Sequence, residues 1–251
     1  MAQTLKGHVA LVTGSTTGLG LGIAKVLGAG GAKVVMNYYN DDERAQRAFT
    51  EFQSVGGEGI LLKANAIDEL AITELVDRAQ SELGAIDIIV PNATPDQPLK
   101  TIEEYDWEFY QQMLNFFIKS PYLLTRAVLS QMKEKGWGRI INISSEVYQL
   151  SVSPFSAYVS AKGGQIGWTR SMSRELAPHG ITVNTVNPGW IPTERHDNDP
   201  QEEKDAYLSQ IPAGRWGTPS DVGEAVAYFA SEAAGFITGQ TLCVNGGNSP
   251  W

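Results

Sequence analysis

HVALVTGSTTGLGLGIAKVLGAGG, residues 8–31, is the stretch that decides the fold. Its first part, 8–14, is an apolar run with the length of a buried strand, and it ends in glycine. Residues 19–31 carry apolar side chains at helical spacing, and the two glycines at 30 and 31 predict the end of the helix. A strand that leads through a glycine-rich turn into a helix is typical of the first unit of a nucleotide-binding α/β fold.

The rest of the chain continues this alternation of short β-rich runs and longer helical stretches. Further strands are predicted at 32–38, 59–65, 86–93, 138–145, 180–189 and 239–247, and helices at 41–55, 69–84, 105–136, 156–177 and 220–233. The 105–136 helix is expected to bend near Pro121. Strands that alternate with helices imply right-handed crossovers, so we predict an α/β fold with a Rossmann-like doubly wound parallel sheet of about seven strands and helices on both faces. We expect residues 1–251 to form a single domain.

Composition and charge exclude several classes of function. The chain has 251 residues, of which 42% are hydrophobic, and a formal net charge of -9, which argues against a nucleic-acid-binding surface. The only cysteine, Cys243, permits no internal disulfide and fits a reducing compartment. No apolar stretch reaches about 18 residues, and the N-terminus lacks a signal-peptide pattern. We therefore expect a cytoplasmic protein without a nucleic-acid or membrane partner, and we assign no metal site.

The glycine loop TGSTTGLG, residues 13–20, has the spacing G-x-x-x-G-x-G. Glycine permits a tight turn and lets the backbone approach a pyrophosphate at the positive end of a helix. The alternative interpretation is a flexible strand-to-helix turn. Its place between the first strand and the first helix favours nucleotide binding. The candidate cofactor contacts in the loop are Gly14, Ser15, Thr16, Thr17, Gly18, Leu19 and Gly20.

The choice between NAD and NADP stays open at this stage. An acid about 20 residues after the loop normally binds the ribose hydroxyls of NAD. Asn37 and Tyr38 stand at that position, and no Arg or Lys stands there to bind a 2′-phosphate. The absence of a repelling acid favours NADP, whereas Asp41 and Asp42, which follow closely, favour NAD. The predicted cofactor is NAD or NADP.

SAYVSAKGG, residues 156–164, places Tyr158 and Lys162 one helical turn apart. Among the nine tyrosines, only Tyr158 is followed by a lysine at this spacing. A free phenol titrates near 10, and a neighbouring ammonium lowers that pKa, as a cationic nicotinamide would. Such a phenol can take a proton from an alcohol or give one to a ketone. The alternative is a helix-face pair whose tyrosine packs in the core.

These motifs together resemble the short-chain dehydrogenase/reductase family, of the compact kind without a second domain, and the resemblance covers essentially the whole chain. It implies NAD(P)-dependent hydride transfer between nicotinamide and a secondary alcohol or ketone. The implied catalytic residues are Asn115, Ser145, Tyr158 and Lys162. Ser145, thirteen residues before Tyr158, would bind and orient the reacting oxygen. Asn115 would hold a water that relays protons to Lys162.

The same resemblance implies further cofactor contacts after the later strands. The nicotinamide would lie against the PG turn and the residues that follow it, and the adenosine against the ends of strands three and four. These contacts are Pro188, Gly189, Ile191 and Thr193 in the first group and Asn65, Ala66, Asn92 and Ala93 in the second. The chain departs from the family at two positions: Thr94 replaces the usual glycine of Asn-Asn-Ala-Gly, and Asn65 replaces an acid. The amide of Asn65 can still bond adenine.

The substrate is predicted from the segment at about 190–216, where the family has its substrate lid. Candidate substrate contacts are Thr94, Glu146, Tyr148, Trp190 and His196. Their mixture of polar and aromatic types favours a small polar substrate, namely a sugar, a polyol or a hydroxy or oxo acid. A 3-oxoacyl thioester on an acyl carrier protein is an alternative, less favoured because that partner and this chain are both acidic.

A second alternative comes from the altered segment after strand four, PNATPDQP, which is similar to that of the halohydrin dehalogenases. These relatives are non-redox lyases that lack the glycine loop and replace the lysine with arginine. This chain keeps both TGSTTGLG and Lys162, so an oxidoreductase is the favoured reading. The family resemblance also implies a homotetramer assembled through the long helices and the last strand.

Overall fold

The computed structural model describes residues 4–250 and contains a seven-stranded sheet. Every pair of neighbouring strands is parallel, and the strand order is β3-β2-β1-β4-β5-β6-β7. The strands are β1 (Val9–Val12), β2 (Lys33–Tyr38), β3 (Glu58–Lys63), β4 (Ile88–Val90), β5 (Gly138–Ile143), β6 (Ile181–Pro188) and β7 (Thr241–Val244). The predicted fold class is therefore confirmed, while the predicted domain limits, residues 1 and 251, lie outside the described residues.

Helices cover both faces of the sheet. They are α1 (Gly18–Ala29), α2 (Asp42–Ser54), α3 (Glu69–Leu83), α4 (Trp107–Leu114), α5 (Ser120–Lys135), α6 (Val147–Leu150), α7 (Ser156–Leu176), α8 (Gln201–Gln210) and α9 (Pro219–Ala230). Helices α1, α2 and α9 pack on one face around residues such as Val12 and Val226. Helices α3, α5 and α7 pack on the other face around residues such as Leu11 and Val128. Within residues 4–250, no helix is long and apolar enough to cross a membrane.

The strand order places the functional residues at one edge of the sheet. Strand β1 lies between β2 and β4, so the order of the strands reverses there, and a crevice opens beyond the carboxyl ends of β1 and β4. Strands β5 and β6 are buried along their whole length. Their apolar and β-branched residues fit a sheet that is covered on both faces. The loops that follow β1, β4, β5 and β6 therefore meet at the crevice.

The predicted 105–136 helix is interrupted directly before Pro121, where a bend was predicted. Asp106 caps the start of α4 by accepting a hydrogen bond from the backbone N–H of Phe109 at 2.7 Å. A π-helical turn, Asn115–Lys119, then separates α4 from α5, and the N–H of Ser120 donates to the carbonyl of Asn115. Pro121 has no N–H to offer the turn before it, which favours this wider turn over a regular helix. The irregularity lies at Asn115, a predicted catalytic residue.

Candidate active site

The glycine loop is held in place by side chains from neighbouring strands. After β4, Asn92 donates from Nδ2 to the carbonyls of Thr13 at 2.9 Å and Gly14 at 3.2 Å. Its backbone N–H donates to the Thr13 hydroxyl at 2.9 Å. From β2, the Asn37 side-chain oxygen accepts a hydrogen bond from the N–H of Gly14 at 3.3 Å. The loop backbone is therefore fixed by three strands rather than by its own sequence alone.

Two glycines of the loop are required by close backbone approach. A Cβ atom on Gly20 would lie 2.2 Å from the carbonyl oxygen of Gly14 and 2.6 Å from Asn92 Nδ2. A Cβ atom on Gly14 would lie 2.9 Å from the Cα of Ala93, and Gly14 has a positive φ of 61°. Side chains at these positions would displace the loop from the start of α1. This is the compact cradle that a dinucleotide pyrophosphate needs at a helix N-terminus.

A carboxylate of the chain itself occupies this helix N-terminus. Oε1 of Glu194 accepts hydrogen bonds from the Thr17 hydroxyl at 3.0 Å and from the N–H of Gly18 at 3.3 Å. Burial raises the pKa of Glu194, but these hydrogen bonds, its own N–H and nearby Arg44 outweigh burial and hold the pKa below its usual value. The start of α1 therefore accepts an anion, and the residues present fit the phosphate group of NAD or NADP.

The side chains of Asn37 and Ser15 take part in the fold of the loop, and their contact with a cofactor stays a prediction. Asn37 is 1% exposed, and its Nδ2 donates to the carbonyls of Ala64 at 3.0 Å and Leu62 at 3.4 Å. Ser15 is fully buried, and its hydroxyl accepts from the N–H of Asn37 at 2.9 Å. The position that normally selects the ribose is thus used to join β1, β2 and β3.

Charged side chains surround Tyr38 at the end of β2, and sequence reasoning missed two of them. Lys63, at the end of β3, donates to Asp42 at 2.9 Å and lies 5.9 Å from the centre of the Tyr38 ring. Burial, and after it the hydrogen bond with Asp42, raise the pKa of Tyr38. Arg44 in the first turn of α2 has a buried Nε atom without a hydrogen-bond partner. Lys63 is distant in sequence from the position that normally selects the ribose, so the local pattern did not reveal it.

The remaining predicted adenosine contacts lie where expected, after β3. The side-chain oxygen of Asn65 accepts from the N–H of Ile67 at 3.2 Å, which forms a tight turn before α3. Ala66 is buried at this turn. Contact of either residue with adenine stays a prediction.

Ser145, Tyr158 and Lys162 come together at the carboxyl end of β5. The Ser145 hydroxyl is close enough to Tyr158 to act on the pKa of its phenol. The ammonium of Lys162 is buried, donates to the carbonyl of Ile143 at 2.7 Å and lies 5.4 Å from the centre of the Tyr158 ring. The spacing of the serine and the tyrosine in the sequence thus brings both side chains to one site in the structure.

Burial decides the protonation of this cluster. It raises the pKa of Tyr158 to about 12, although the Ser145 hydrogen bond and the charge of Arg195 act in the opposite direction. Burial also lowers the pKa of Lys162 well below its ordinary value. The expectation of a lowered phenol pKa is therefore wrong for the chain by itself, because burial raises that pKa and the groups that oppose burial are Ser145 and Arg195 rather than Lys162. Tyr158 is protonated at neutral pH and is suited to donate a proton.

Asn115 begins the π-helical turn beside this cluster. Phe117 lies two residues further along that turn. The centre of its ring is 3.7 Å from Lys162 Nζ and 5.3 Å from the centre of the Tyr158 ring. The turn therefore packs against the catalytic helix α7. Such π turns are frequent at functional sites. The role of Asn115 in holding a water stays a prediction.

The residues after β6 lie across the crevice from the glycine loop, as expected. The carbonyl of Pro188 accepts from the N–H of Glu146 at 3.0 Å, and the N–H of Gly189 donates to Val244 at 3.1 Å. Ile191 is buried, and a Cβ atom on Gly18 would lie 3.4 Å from Cγ2 of Thr193. The segment therefore covers the N-terminus of α1.

Two predicted substrate contacts, Glu146 and His196, have hydrogen-bond partners within the protein, and their contact with substrate stays a prediction. Glu146 is only 2% exposed, and its carboxylate accepts hydrogen bonds from protein side chains. Nδ1 of His196 lies 3.1 Å from the Thr193 hydroxyl and 3.2 Å from its backbone nitrogen, so this ring caps a turn. Both residue types suit a polar pocket, and the long-range contacts of Glu146 could not be seen in the sequence.

The other three predicted substrate contacts, Trp190, Tyr148 and Thr94, lie in different surroundings. Trp190 is partly buried and packs edge to face against Tyr207 and Trp216, at 5.3 and 5.8 Å between ring centres. Tyr148 lies against Gly163 of α7, where a Cβ atom would approach its ring to 2.8 Å. Thr94 is exposed and accepts a hydrogen bond from the Gln97 amide. Sequence reasoning identified Trp190 but missed Tyr207, because nothing local marks it.

The described part of the chain, 4–250, contains no group of three or more His, Cys, Asp or Glu residues arranged to hold a metal ion.

Comparison with known proteins shows what this chain is similar to. A family model described as enoyl-(acyl carrier protein) reductase matches residues 14–249. The 3-oxoacyl-[acyl-carrier-protein] reductase of Haemophilus influenzae is 39% identical over 245 residues, covering 97% of this chain and 98% of that protein. The protein of the same name from Vibrio cholerae is 40% identical over 247 residues, covering 98% of each chain.

Two solved structures give the same result for the fold. A mutant short-chain dehydrogenase/reductase from Serratia marcescens is 34% identical, with a TM-score of 0.89 over 98% of this chain and 100% of that one. A protein from Agrobacterium tumefaciens described as a putative gluconate dehydrogenase is 30% identical, with a TM-score of 0.91 over 99% of this chain and 98% of that one.

Proposed function

Because the chain belongs to the short-chain dehydrogenase/reductase family, we propose that it reduces the ketone of a 3-oxoacyl thioester to a secondary alcohol. The enzyme is an oxidoreductase that uses NAD or NADP. The names of relatives that are 39 and 40% identical over nearly the whole chain support the 3-oxoacyl substrate. The observation that carries the proposal is the meeting of Tyr158, Ser145 and the buried Lys162 at the carboxyl end of β5.

The proposed mechanism uses two hydroxyls of the chain. When bound, the reduced nicotinamide supplies the hydride. The Ser145 hydroxyl donates to the carbonyl oxygen of the substrate and orients it. Tyr158 gives its proton to the same oxygen as negative charge develops there. Donors aimed at a developing oxyanion are typically worth about 3 kcal/mol each in the transition state.

Lys162 acts from behind Tyr158. Its Nζ atom is fixed by the carbonyl of Ile143 at 2.7 Å and faces the phenol ring. In this position it returns a proton to Tyr158 after turnover, supplied from the side of Asn115. Because its pKa is lowered by burial, Lys162 can exchange protons more readily than an exposed lysine.

A second candidate substrate is a small hydroxy or oxo acid, and Arg195 favours it. The guanidinium of Arg195 is close enough to Tyr158 to lower the pKa of its phenol. Its ion pair with Asp96 spans 3.9 Å, and Asp96 is fully exposed, so solvent screens that pair. A guanidinium beside the proton donor is suited to bind a substrate carboxylate. The Agrobacterium protein described as a putative gluconate dehydrogenase also fits an acid substrate.

A matched pair of substrates tests the proposal. Acetoacetyl-CoA and acetoacetate carry the same ketone but differ in having a thioester or a carboxylate beside it. With NADH or NADPH, we expect the thioester to be reduced with a kcat/KM at least about tenfold above that of the free acid. The opposite ranking would support the oxo acid instead, and oxidation of neither cofactor by either substrate would overturn both.

Arg195→Gln separates the two candidates further. If a carboxylate is the natural group, this change lowers kcat/KM for acetoacetate by about 30-fold and leaves acetoacetyl-CoA nearly unchanged. Arg170→Gln, at an exposed position on α7, is the matched control. A halohydrin-dehalogenase-like lyase would instead bind neither NADH nor NADPH, and the intact glycine loop argues against it.

We also infer a homotetramer, as the family resemblance implies. Strand β7 is an edge of the sheet, and exposed apolar side chains surround it: Leu242 on the strand, Tyr228 on α9 and Phe236 between them. An exposed sheet edge with apolar neighbours favours pairing with a second copy. Sedimentation equilibrium should give four times the chain mass, and a monomer at micromolar concentration would contradict this.

A further inference from the structure

Glu146 is a buried carboxylate with an unusually complete set of hydrogen-bond donors. Its oxygens accept from Asn245 Nδ2 at 2.9 Å, Ser249 Oγ at 3.2 Å and Asn248 Nδ2 at 3.3 Å. The hydroxyl of Tyr207 donates to the same carboxylate. A buried charge is tolerated only where such donors surround it. The set joins the residue next to Ser145, helix α8 and the segment after β7.

Tyr207 is the link from this carboxylate to the substrate side of the crevice. Its hydroxyl accepts a hydrogen bond from the backbone N–H of Trp190 at 2.7 Å. A Cβ atom on Gly189 would lie 2.6 Å from the same oxygen, so glycine is required there. The Tyr207 ring also stacks on Trp216, with 5.6 Å between ring centres. One hydroxyl thus fixes both α8 and the start of the segment 190–216.

The Trp190 side chain connects the contact between Glu146 and Tyr207 to substrate binding. Its indole Nε1 is buried and has no hydrogen-bond partner within the protein. A buried donor without a partner is costly, which points to a ligand or a water as its acceptor. Because the Tyr207 hydroxyl fixes the backbone of Trp190, the position of that donor depends on the contact between Glu146 and Tyr207.

We propose that Glu146 and Tyr207 are positioning residues that hold the segment 190–216 against the active site and thereby set the affinity for substrate. Neither touches the reacting atoms, since Ser145 and Tyr158 supply the groups that act on the carbonyl. Losing this contact frees the segment and moves the Trp190 indole. Substrate binding is then weaker, whereas the chemical step of bound substrate keeps its rate. The kinetic part of this inference rests on the proposed function.

Tyr207→Phe tests the proposal because it removes the hydroxyl and keeps the ring. With the better of the two acetoacetyl substrates, we expect KM to rise about tenfold, kcat to stay within about twofold and the dissociation constant of NADH or NADPH to stay unchanged. Trypsin should cleave after Arg195 or Lys204 faster than in the wild-type protein, because the segment is released. Tyr39→Phe, at an exposed position after β2, is the matched control.

Glu146→Gln is a second variant that tests the proposal. It should raise KM at least as much as Tyr207→Phe, because it also alters the bonds from Asn245, Asn248 and Ser249. The double variant should be no worse than the more damaging single variant, because Tyr207 acts through Glu146. Glu203→Gln, exposed on α8, is its control. If Glu146→Gln does not fold, Tyr207→Phe alone decides the matter.

Equal losses in kcat with an unchanged KM would overturn the proposal, as would fully additive effects of the two changes. If the wild-type protein reduces neither acetoacetyl substrate, the proposed function fails and trypsin cleavage still decides this inference. Faster cleavage of Tyr207→Phe then supports it, and cleavage at the wild-type rate overturns it.

Discussion

The two ends of the crevice are built in different ways. At the cofactor end, the loop of residues 13–20 is fixed by hydrogen bonds with Asn37 in β2 and Asn92 after β4. At the substrate end, side chains of the segment 190–216 attach it to the rest of the protein, chiefly Tyr207 on Glu146 and Glu194 on Thr17. The first end is part of the sheet, whereas the second is attached to it through a few contacts.

This difference separates what the fold requires from what the substrate requires. A loop fixed by neighbouring strands keeps the backbone geometry that a phosphate group needs. A segment held by side chains can change its contacts without disturbing the sheet. Glu194 connects the two ends, because it belongs to the segment and binds at the start of α1. Changes at each end should therefore have separable effects on cofactor and substrate.

The largest effect is expected from a change at Tyr158, which belongs to neither end of the crevice. Tyr158→Phe removes the proton donor and keeps the ring between the two ends of the crevice. We expect kcat to fall at least about 1000-fold, while NADH and NADPH bind as in the wild-type protein. Steady-state kinetics and cofactor fluorescence measure the two quantities. Retained turnover would show that another group donates the proton.

Gly20→Ala is expected to displace the glycine loop at the cofactor end of the crevice. The new methyl group would lie 2.2 Å from the carbonyl oxygen of Gly14, so the loop has to move. We expect cofactor affinity to fall at least about tenfold, with a loss of stability of about 2 kcal/mol. Gly167→Ala is the control, because nothing lies within 4 Å of a Cβ atom there. Wild-type affinity in the Gly20 variant would contradict the cradle described above.

Glu194→Gln is expected to have the smallest effect of the three changes, and it tests how a residue of the segment 190–216 affects cofactor binding. It removes a negative charge that competes with the cofactor's phosphates for the start of α1, and such a charge is worth about 1 kcal/mol. NADH and NADPH should therefore bind roughly fivefold more tightly in fluorescence titrations. Glu202→Gln, exposed on α8, controls for net charge. Weaker binding in the Glu194 variant would mean that this carboxylate supports the cofactor instead of competing with it.

The difference between local and distant contacts also explains which features could be predicted from the sequence alone. The glycine spacing of residues 14–20 and the Tyr158–Lys162 pair are local patterns, and each corresponds to an arrangement within one element or between adjacent elements. The fold class and the meeting of Ser145 with Tyr158 were therefore predictable. The π turn at Asn115 was not, because a missing N–H at Pro121 affects the backbone several residues earlier.

Roles that depend on distant partners could not be predicted. Asn37 occupies the position that normally selects the ribose, yet its amide is used by Gly14 and Ala64. Glu146 follows the catalytic serine, yet its partners lie about 60 to 100 residues away in α8 and after β7. Burial likewise reversed the expected pKa shift of Tyr158, because the depth of a side chain is a property of the whole fold.

The pH dependence of ketone reduction tests the central claim, that Tyr158 is the proton donor, most directly. The reaction needs the protonated phenol, which is the dominant form below its pKa of about 12. In the wild-type protein, kcat/KM for reduction of the better acetoacetyl substrate should therefore stay constant between about pH 6 and 9 and decline only toward the pKa. A decline with an apparent pKa near 7 would contradict the account, because the essential donor would then be a group other than the buried phenol.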